Sequence, residues 1–522
     1  MVKWQEEVDA TGVWKLYKNA LSHPARIDLD EKISRCIDYF EGRQWAPPTE
    51  STKNLPRPVI NVVKMVCRSK KASILSTPLR IIYKSYTQGI DISKLNSFAN
   101  GLLTELGQSR LDRLALDDAI KKGSCFFHYY WDPNAISLNG KVDGSVRAEI
   151  IDPLNIFFEN PSQLDEQKQK WIIIASSMDA ESVLLQADAD ASLDLINQDA
   201  DENGMVTVLT RYFKINNEVY FEKSTKSCIF SKAKRLSPSF LSSRAHLYPV
   251  VCGYYERKEG SIYGISEVEG LIPNQRAINF NVAMSLLNAQ ECAWGKYIAL
   301  PGALKGQKIS NVPGQVLIDH TGTGDGIKKL SGQGIDSTPM GISDSLISIT
   351  RSVSGASELL SGETLSANLS GTAIAQLQAQ AQLPIEDLKS EFIEIKRKQG
   401  LVLAEFMRLY FYNKDFILSK SIDGKKREVF DTFNSSEFEK SVLDVTVEVT
   451  NSTRATVASD ISFLNTCLEN GSISLKTYIE AYPDCAISNK SDLLARLNEQ
   501  EESQIEKLRA ENDELRKRLN SF

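Results

Sequence analysis

The residues most able to do chemistry fall into a few clusters, and each can be tested by its spacing. Asp199-x-Asp201-x-Asn203-Gly204 matches the first half of a calcium loop, but position twelve, where a bidentate Glu is required, is Thr210. That segment reads instead as a turn with Asp and Asn in left-handed geometry. Gly322-Thr-Gly324-Asp-Gly326-Ile-Lys328-Lys329 has neither the Gly-Lys-Ser/Thr end of a P-loop nor the third glycine of a dinucleotide fingerprint, so it reads as a flexible hairpin loop. The four histidines, His23, His128, His246 and His320, form no His-x-x-x-His pair, and no Gly-x-Ser-x-Gly elbow occurs. His128, among Phe126, Phe127, Tyr129 and Tyr130, reads as a packed strand residue rather than a base. Asp117-Asp118 reads as the polar face of a helix. No catalytic residue, metal site or cofactor is assigned, and the chain is expected not to be an enzyme.

The eight cysteines lie at least eighteen positions apart, which excludes Cys-x-x-Cys zinc or redox motifs. They are expected to be buried and inert, in a soluble protein made in a reducing compartment. Met1 to Ala10 carries Glu6, Glu7 and Asp9 where a secretion signal needs apolar residues, and no apolar run reaches about 18 residues. With 522 residues the chain has room for about three domains at roughly 150 residues each. Its 42% hydrophobic and 25% charged residues are those of a globular protein. The net charge of -6 argues against gripping nucleic acid by neutralising many phosphates, but not against letting it slide past.

The elements that would position any site form an α+β body. Residues 1–50 and 90–122 read as helices from apolar residues at helical spacing. Lys53 to Lys84 holds eight basic residues and no acidic one, and reads as a buried helix with a solvated basic face. Short antiparallel strands are expected at 125–131, 146–151, 171–175, 206–212 and 218–221. Met178 to Glu202, with eight acidic residues, reads as a surface helix and loop. Residues 274–294 lack Gly and Pro and hold only Arg276 and Glu291 as charges. Their polar face is built from amides, which suits contact with copies of the same chain better than contact with water. A Gly-rich β-type insert, 297–330, precedes a second helix with Ile342, Leu346, Ile349, Val353, Ala356 and Leu360 in step. After a break at 361–371, some 40 residues of helix run to Tyr412, with a kink expected at Pro384. A strand at 443–449 and two short helices ending near Tyr482 close the body.

This order of elements resembles the portal (head-to-tail connector) proteins of tailed bacteriophages. The resemblance is carried by Asp38-Tyr-Phe-Glu-Gly-Arg-Gln-Trp45, Arg57-Pro-Val-Ile-Asn61, Gly123 to Pro133 with Ile150-Ile-Asp-Pro153, and Ser370-Gly-Thr-Ala-Ile374. Its strongest stretch is Tyr263-Gly-Ile-Ser-Glu-Val-Glu-Gly-Leu-Ile-Pro-Asn-Gln-Arg-Ala-Ile-Asn279, and it covers roughly residues 30–480. It implies a wing at 1–260, stem helices at 261–293 and 338–360 and a clip at 294–337. A tunnel loop at 361–371, a long kinked helix returning to the wing at 372–450, a crown at 451–490 and a C-terminal heptad helix at 491–522 complete the layout. It also implies a ring, usually of twelve copies, at the portal vertex of the virion, with double-stranded DNA passing through its channel during packaging and ejection. The implied partners are the terminase large subunit, head-to-tail adaptors, the major capsid protein and scaffold, without a membrane. By position, the tunnel loop would present Glu363, Thr364, Leu365, Ser366 and Asn368 to DNA. The clip would dock partners through Lys296, Lys305, Lys308, Lys328 and Lys329, and the stem would join subunits through Asn279, Val282, Leu286, Ile342, Leu346 and Ile349.

The physics of that role fits the loop, which holds one charge, Glu363, in eleven positions. Each neutralised phosphate would add affinity, and friction with it, through counterion release. In the tail, Ile505, Leu508, Asn512, Leu515 and Leu519 step by three and four, as in a short coiled coil. Two other readings stay open: a virion scaffold or adaptor without a channel, and an enzyme with an unrecognised site.

Overall fold

The computed structural model describes residues 8–482 except 51, 77–78, 88–91, 137–141, 143, 239–243, 294–296, 311–314, 323, 330–337, 356–370, 412–413, 423–424, 439–442 and 450–453. The tail expectation therefore lies outside the described residues.

Local chemistry sets the first helices. Asp9 caps α1 (Ala10–Leu21) by accepting the N–H of Gly12, and Pro24 opens α2 (Pro24–Glu41), which stops at Gly42 in the left-handed region. Asn61 caps α3 (Val62–Leu75). After strand β1 (Leu79–Ser85) come α4 (Ile92–Glu105) and α5 (Gln108–Lys122). Gly123 ends α5 at φ 84°, and a Cβ there would lie 2.5 Å from the carbonyl oxygen of Gly264, so the close approach of two backbones requires glycine.

The β-rich part follows: β2 (Ser124–Asp132), β3 (Ser145–Ile151), β4 (Ile156–Phe158) and β5 (Trp171–Asp179), then α6 (Ala180–Gln186) and α7 (Leu193–Gln198). β6 (Met205–Ile215), β7 (Glu218–Ser224), β8 (Ile229–Arg235) and β9 (Val250–Tyr254) complete it. The strands pair antiparallel in a five-stranded sheet, β4-β5-β6-β7-β8, and a three-stranded sheet, β3-β2-β9. Side chains alternate between faces of a strand, and β2 is buried on both. Cys125, Phe127 and Tyr129 face a core shared with the helices, while Phe126 faces a second core against the five-stranded sheet. That double burial explains its unbroken aromatic run.

The chain then enters α8 (Glu267–Ala293), the hairpin β10 (Tyr297–Ala299) with β11 (Ile327–Lys329), and α9 (Thr338–Val353). The 40-residue α10 (Gly371–Tyr410) leads to β12 (Lys414–Ile422), β13 (Lys425–Phe433) and β14 (Leu443–Val449), and α11 (Arg454–Glu469) and α12 (Leu475–Ala481) follow. From Ile385 onward α10 packs into the main core through Phe392, Ile395, Leu403 and Phe406. A Cβ on Gly400 would sit 2.5 Å from Val445 and 2.9 Å from Ile81. The helix thus lies directly on the two-stranded sheet of β1 and β14, and Tyr83 donates its hydroxyl hydrogen bond to the Gly400 carbonyl at 3.0 Å.

The α+β class and the five strands named from sequence are present. Four expectations change. The basic run is not one solvated helix: its end, Leu79–Ser85, is a strand, and Lys70 is buried because its amine meets Glu267 at 2.8 Å and Tyr255 at 2.9 Å. The acidic segment forms two short helices over a small core of Val183, Ile196 and Phe230 rather than one. The helix read over 274–294 begins earlier, at Glu267, and carries Pro273 inside it. β12 and β13 pair antiparallel, a feature that the sequence reading did not separate.

Candidate functional site

The two central helices, α8 and α9, run as an antiparallel pair. The Nδ2 of Asn274, early in α8, donates to Thr350 Oγ1, late in α9, at 3.1 Å. The pair is fastened to the body by amides. Gln275 Oε1 accepts the N–H groups of Val62 (3.0 Å) and Val63 (3.3 Å), and its Nε2 donates to the Ile60 carbonyl (2.7 Å) and to Asn279 Oδ1 (2.9 Å). Asn279 Nδ2 in turn donates to Gln44 Oε1 at 2.6 Å. These amides therefore supply orphan donors at the start of α3 with an acceptor.

This geometry separates the stem residues expected to meet a second copy. Asn279 is 3% exposed and Val282 8%, both covered by the chain itself. Asn279 meets Gln275 and Gln44 within the chain. Leu346 is half-buried against the main core. Leu286, Ile342 and Ile349 are exposed, as are Phe280, Met284 and Val353, which sequence reasoning did not single out. Exposed large apolar side chains on one helix pair are a surface that water disfavours.

The insert between α8 and α9 exposes Tyr297, Ile298, Leu300, Val316 and Ile318. Lys305 and Lys308 are exposed, Lys328 makes a surface contact with Asp325 at 3.2 Å, and Lys329 pairs in register with Tyr297. Lys296 lies outside the described residues, as do the tunnel-loop candidates Glu363, Thr364, Leu365, Ser366 and Asn368. The glycine-rich turn is tethered rather than free: Asp319 accepts hydrogen bonds from Thr321 N (2.8 Å), Thr321 Oγ1 (2.6 Å) and Gly326 N (2.9 Å). The Thr321 hydroxyl, with these amides, holds its carboxyl below the usual value.

The chemically suggestive motifs are structural where they are described. Asp201 Oδ1 accepts the N–H groups of Asn203 (2.9 Å) and Met205 (2.8 Å), and the left-handed residue of that turn is Gly204 rather than Asn203. His128 is buried, with Nδ1 2.8 Å from Glu149 Oε1 and Nε2 2.7 Å from the Tyr212 hydroxyl, so it bolts the two larger sheets together. Asp117 pairs with Lys71 at 2.7 Å and Asp118 with Lys122 at 3.0 Å. Cys36, Cys67, Cys125, Cys228 and Cys252 are buried, and burial pushes the Cys36 and Cys67 thiols up to about 11 and about 12. Among the described residues no group of His, Cys, Asp and Glu could hold a metal ion, and no helix is long and apolar enough to cross a membrane.

The model of the phage P22-like portal protein family matches residues 17–458. No curated protein matches the sequence. The matched span begins within α1, ends within α11 and takes in every element between them.

Proposed function

This chain belongs to the phage P22-like portal protein family, and from that premise we propose that it closes into a ring whose centre is the passage for double-stranded DNA. Portal proteins are structural components of the virion at a capsid vertex, homo-oligomeric and joined to the capsid and packaging machinery. For this chain, the observation that best supports a ring is the apolar surface on α8 and α9, with Ile349 54% and Phe280 53% exposed. Identical subunits related by rotation bury such a surface through heterologous contacts that close. We assign the subunit contact to Leu286, Ile342 and Ile349 together with Phe280, Met284 and Val353. Asn279, Val282 and Leu346 shape the contact from inside the subunit.

In this reading the sparsely charged segment 361–371 lines the channel, with Glu363, Thr364, Leu365, Ser366 and Asn368 facing DNA that must slide. The clip between α8 and α9 receives the terminase large subunit and then the head-to-tail adaptors. Its lysines, Lys296, Lys305, Lys308, Lys328 and Lys329, give it a basic excess in an acidic chain. Twelve copies is the number we propose. Negative-stain images of the purified protein test the reading: rings with a central hole wide enough for duplex DNA are expected. Only monomers or dimers at micromolar concentration, at low and high salt, would remove it.

A further inference from the structure

Charge is scarce on α8 and α9. From Asn274 to Ala293 the only charged residues are Arg276 and Glu291, and in α9 they are Asp344 and Arg351. Arg351 is half-buried, with Nη2 3.2 Å from the Met65 sulfur. Arg276 and Asp344 are exposed, and among the described residues neither has a hydrogen-bond or ion-pair partner. Arg276 also shares its surroundings with its own sign. Burial raises the Tyr39 hydroxyl pKa, and the charges of Arg276 and of the exposed Arg35 of α2 both oppose that rise. A lone carboxylate on α9 and a cationic spot beside α8 are thus complementary.

The two charges cannot meet within one chain. The 3.1 Å bond from Asn274 to Thr350 marks the seam between the antiparallel helices. At 3.6 residues per turn, Arg276 lies about 160° around α8 from Asn274, and Asp344 about 120° around α9 from Thr350. Both therefore stand on outer flanks, facing away from the seam. Along the helices they nearly match. Asp344 precedes Thr350 by as many residues as Phe280 follows Asn274, so Asp344 and Phe280 are level. Arg276 is one turn from that level, about 6 Å at 1.5 Å per residue, which an extended arginine side chain spans. Arg276, Phe280 and Met284 share one side of α8, with Phe280 53% and Met284 39% exposed. Gly341 and Ser348, one turn to either side of Asp344, are exposed and small, and leave room for these longer side chains.

We propose that Arg276 of each subunit forms an ion pair with Asp344 of the next, docking the outer flank of α8 on the outer flank of α9 in a second copy of this chain. The inference rests on the ring reading above and names the polar contact that sets its register. The two flanks differ, so the contact is heterologous and can repeat around a closed ring. With the helix pair running along the ring axis, rotation to the next copy leaves height unchanged, and the offset of about 6 Å is kept across the contact. The surrounding contact is apolar and therefore non-directional, whereas a single charge pair penalises slipped registers.

Arg276→Asp and Asp344→Arg, each made in the full chain, test this by mixing, with rings read by sedimentation velocity and negative stain. Both positions are exposed, so the circular dichroism of the subunits should not change. Either variant alone sets like charges against each other at every contact and should need at least about tenfold more protein than the wild type for half-assembly at low salt. An equimolar mixture should assemble like the wild type, because alternating subunits restore an opposite-charge pair at each contact of an even-numbered ring. The double variant should do the same. Arg276→Gln, which only removes the charge, should weaken assembly less than reversal and make it less sensitive to salt. A single reversal that assembles at the wild-type concentration, or a mixture no better than its weaker component, overturns the ion pair. Wild-type rings in the same experiment keep the ring reading standing when the pair fails, and a wild type that forms no rings removes both.

Discussion

Single buried charges pin the long helix to the body, and their cost is testable. Lys396 on α10 is 4% exposed and its amine meets Asp112 of α5, while Lys398 meets Glu166 at 3.0 Å. Removing one partner of such a pair strands the other charge, which costs ~3–5 kcal/mol, whereas replacing both with apolar residues is often neutral. Asp112→Ala should therefore lower the denaturation midpoint sharply, and Asp112→Leu with Lys396→Met should recover most of the loss. The pH dependence has a definite sign. Burial lowers the Lys396 pKa below its ordinary 10.5, and without Asp112 only the lowering influence of burial is left. Between the folded and unfolded values the unfolded chain binds the extra proton, so stability rises with pH across that window. The Asp112→Ala deficit should shrink as pH approaches 10.5, and a deficit constant from pH 7 to 10 would show that Lys396 is not the stranded charge.

At the level of elements, the amide clasp fixes how the α8–α9 pair leaves the body. Gln275 alone accepts two N–H groups at the start of α3 and donates twice, so Gln275→Leu should destabilise the chain by ~2–4 kcal/mol through lost and orphaned hydrogen bonds. Hydrogen exchange should quicken at Val62 and Val63 first. Exchange unchanged there would mean that the clasp does not hold α3. This clasp shows what was legible in the sequence. The amides of α8 stood out by composition, and so did the order of elements that carries the family resemblance. Their partner did not, because Gln275 and Val62 are 213 residues apart and nothing local links them. The same reason hid β1, whose pairing partner β14 begins at Leu443. Strands with neighbouring partners, such as β6 and β7, were readable from pattern, while Lys70 looked solvated because a buried lysine and an exposed one are the same letter. The exposed Phe280 and Met284 could have been found at i and i+4 on the amide-rich helix.

For the whole molecule, the proposed assembly surface on α8 and α9 and the proposed docking insert between them are separate in the chain, so variants should separate their roles. Ile342 and Ile349 stand out from α9, 47% and 54% exposed, on a helix whose Ser343 and Thr350 face inward. A carboxylate introduced at either position stays solvated in the free subunit but must be desolvated in a closed contact, at a cost of several kcal/mol. In a ring that penalty repeats at every interface, so Ile342→Asp with Ile349→Asp should leave folded monomers, seen as one slow species in sedimentation velocity. Rings that persist would exclude this face of α9 from the contact. Lys328→Glu with Lys329→Glu acts elsewhere, because both residues sit on β11, paired with β10. Lys328 is solvent-exposed and its contact with Asp325 is worth little, so the subunit should keep its stability. Its rings should form normally but lose affinity for an acidic partner, and salt dependence should fall with it, since rim charges act chiefly on association rate and screening. A pull-down of the terminase large subunit by variant rings measures this directly. Undiminished capture at 0.05 M and 0.15 M salt would remove Lys328 and Lys329 from the docking surface while leaving the ring assignment intact.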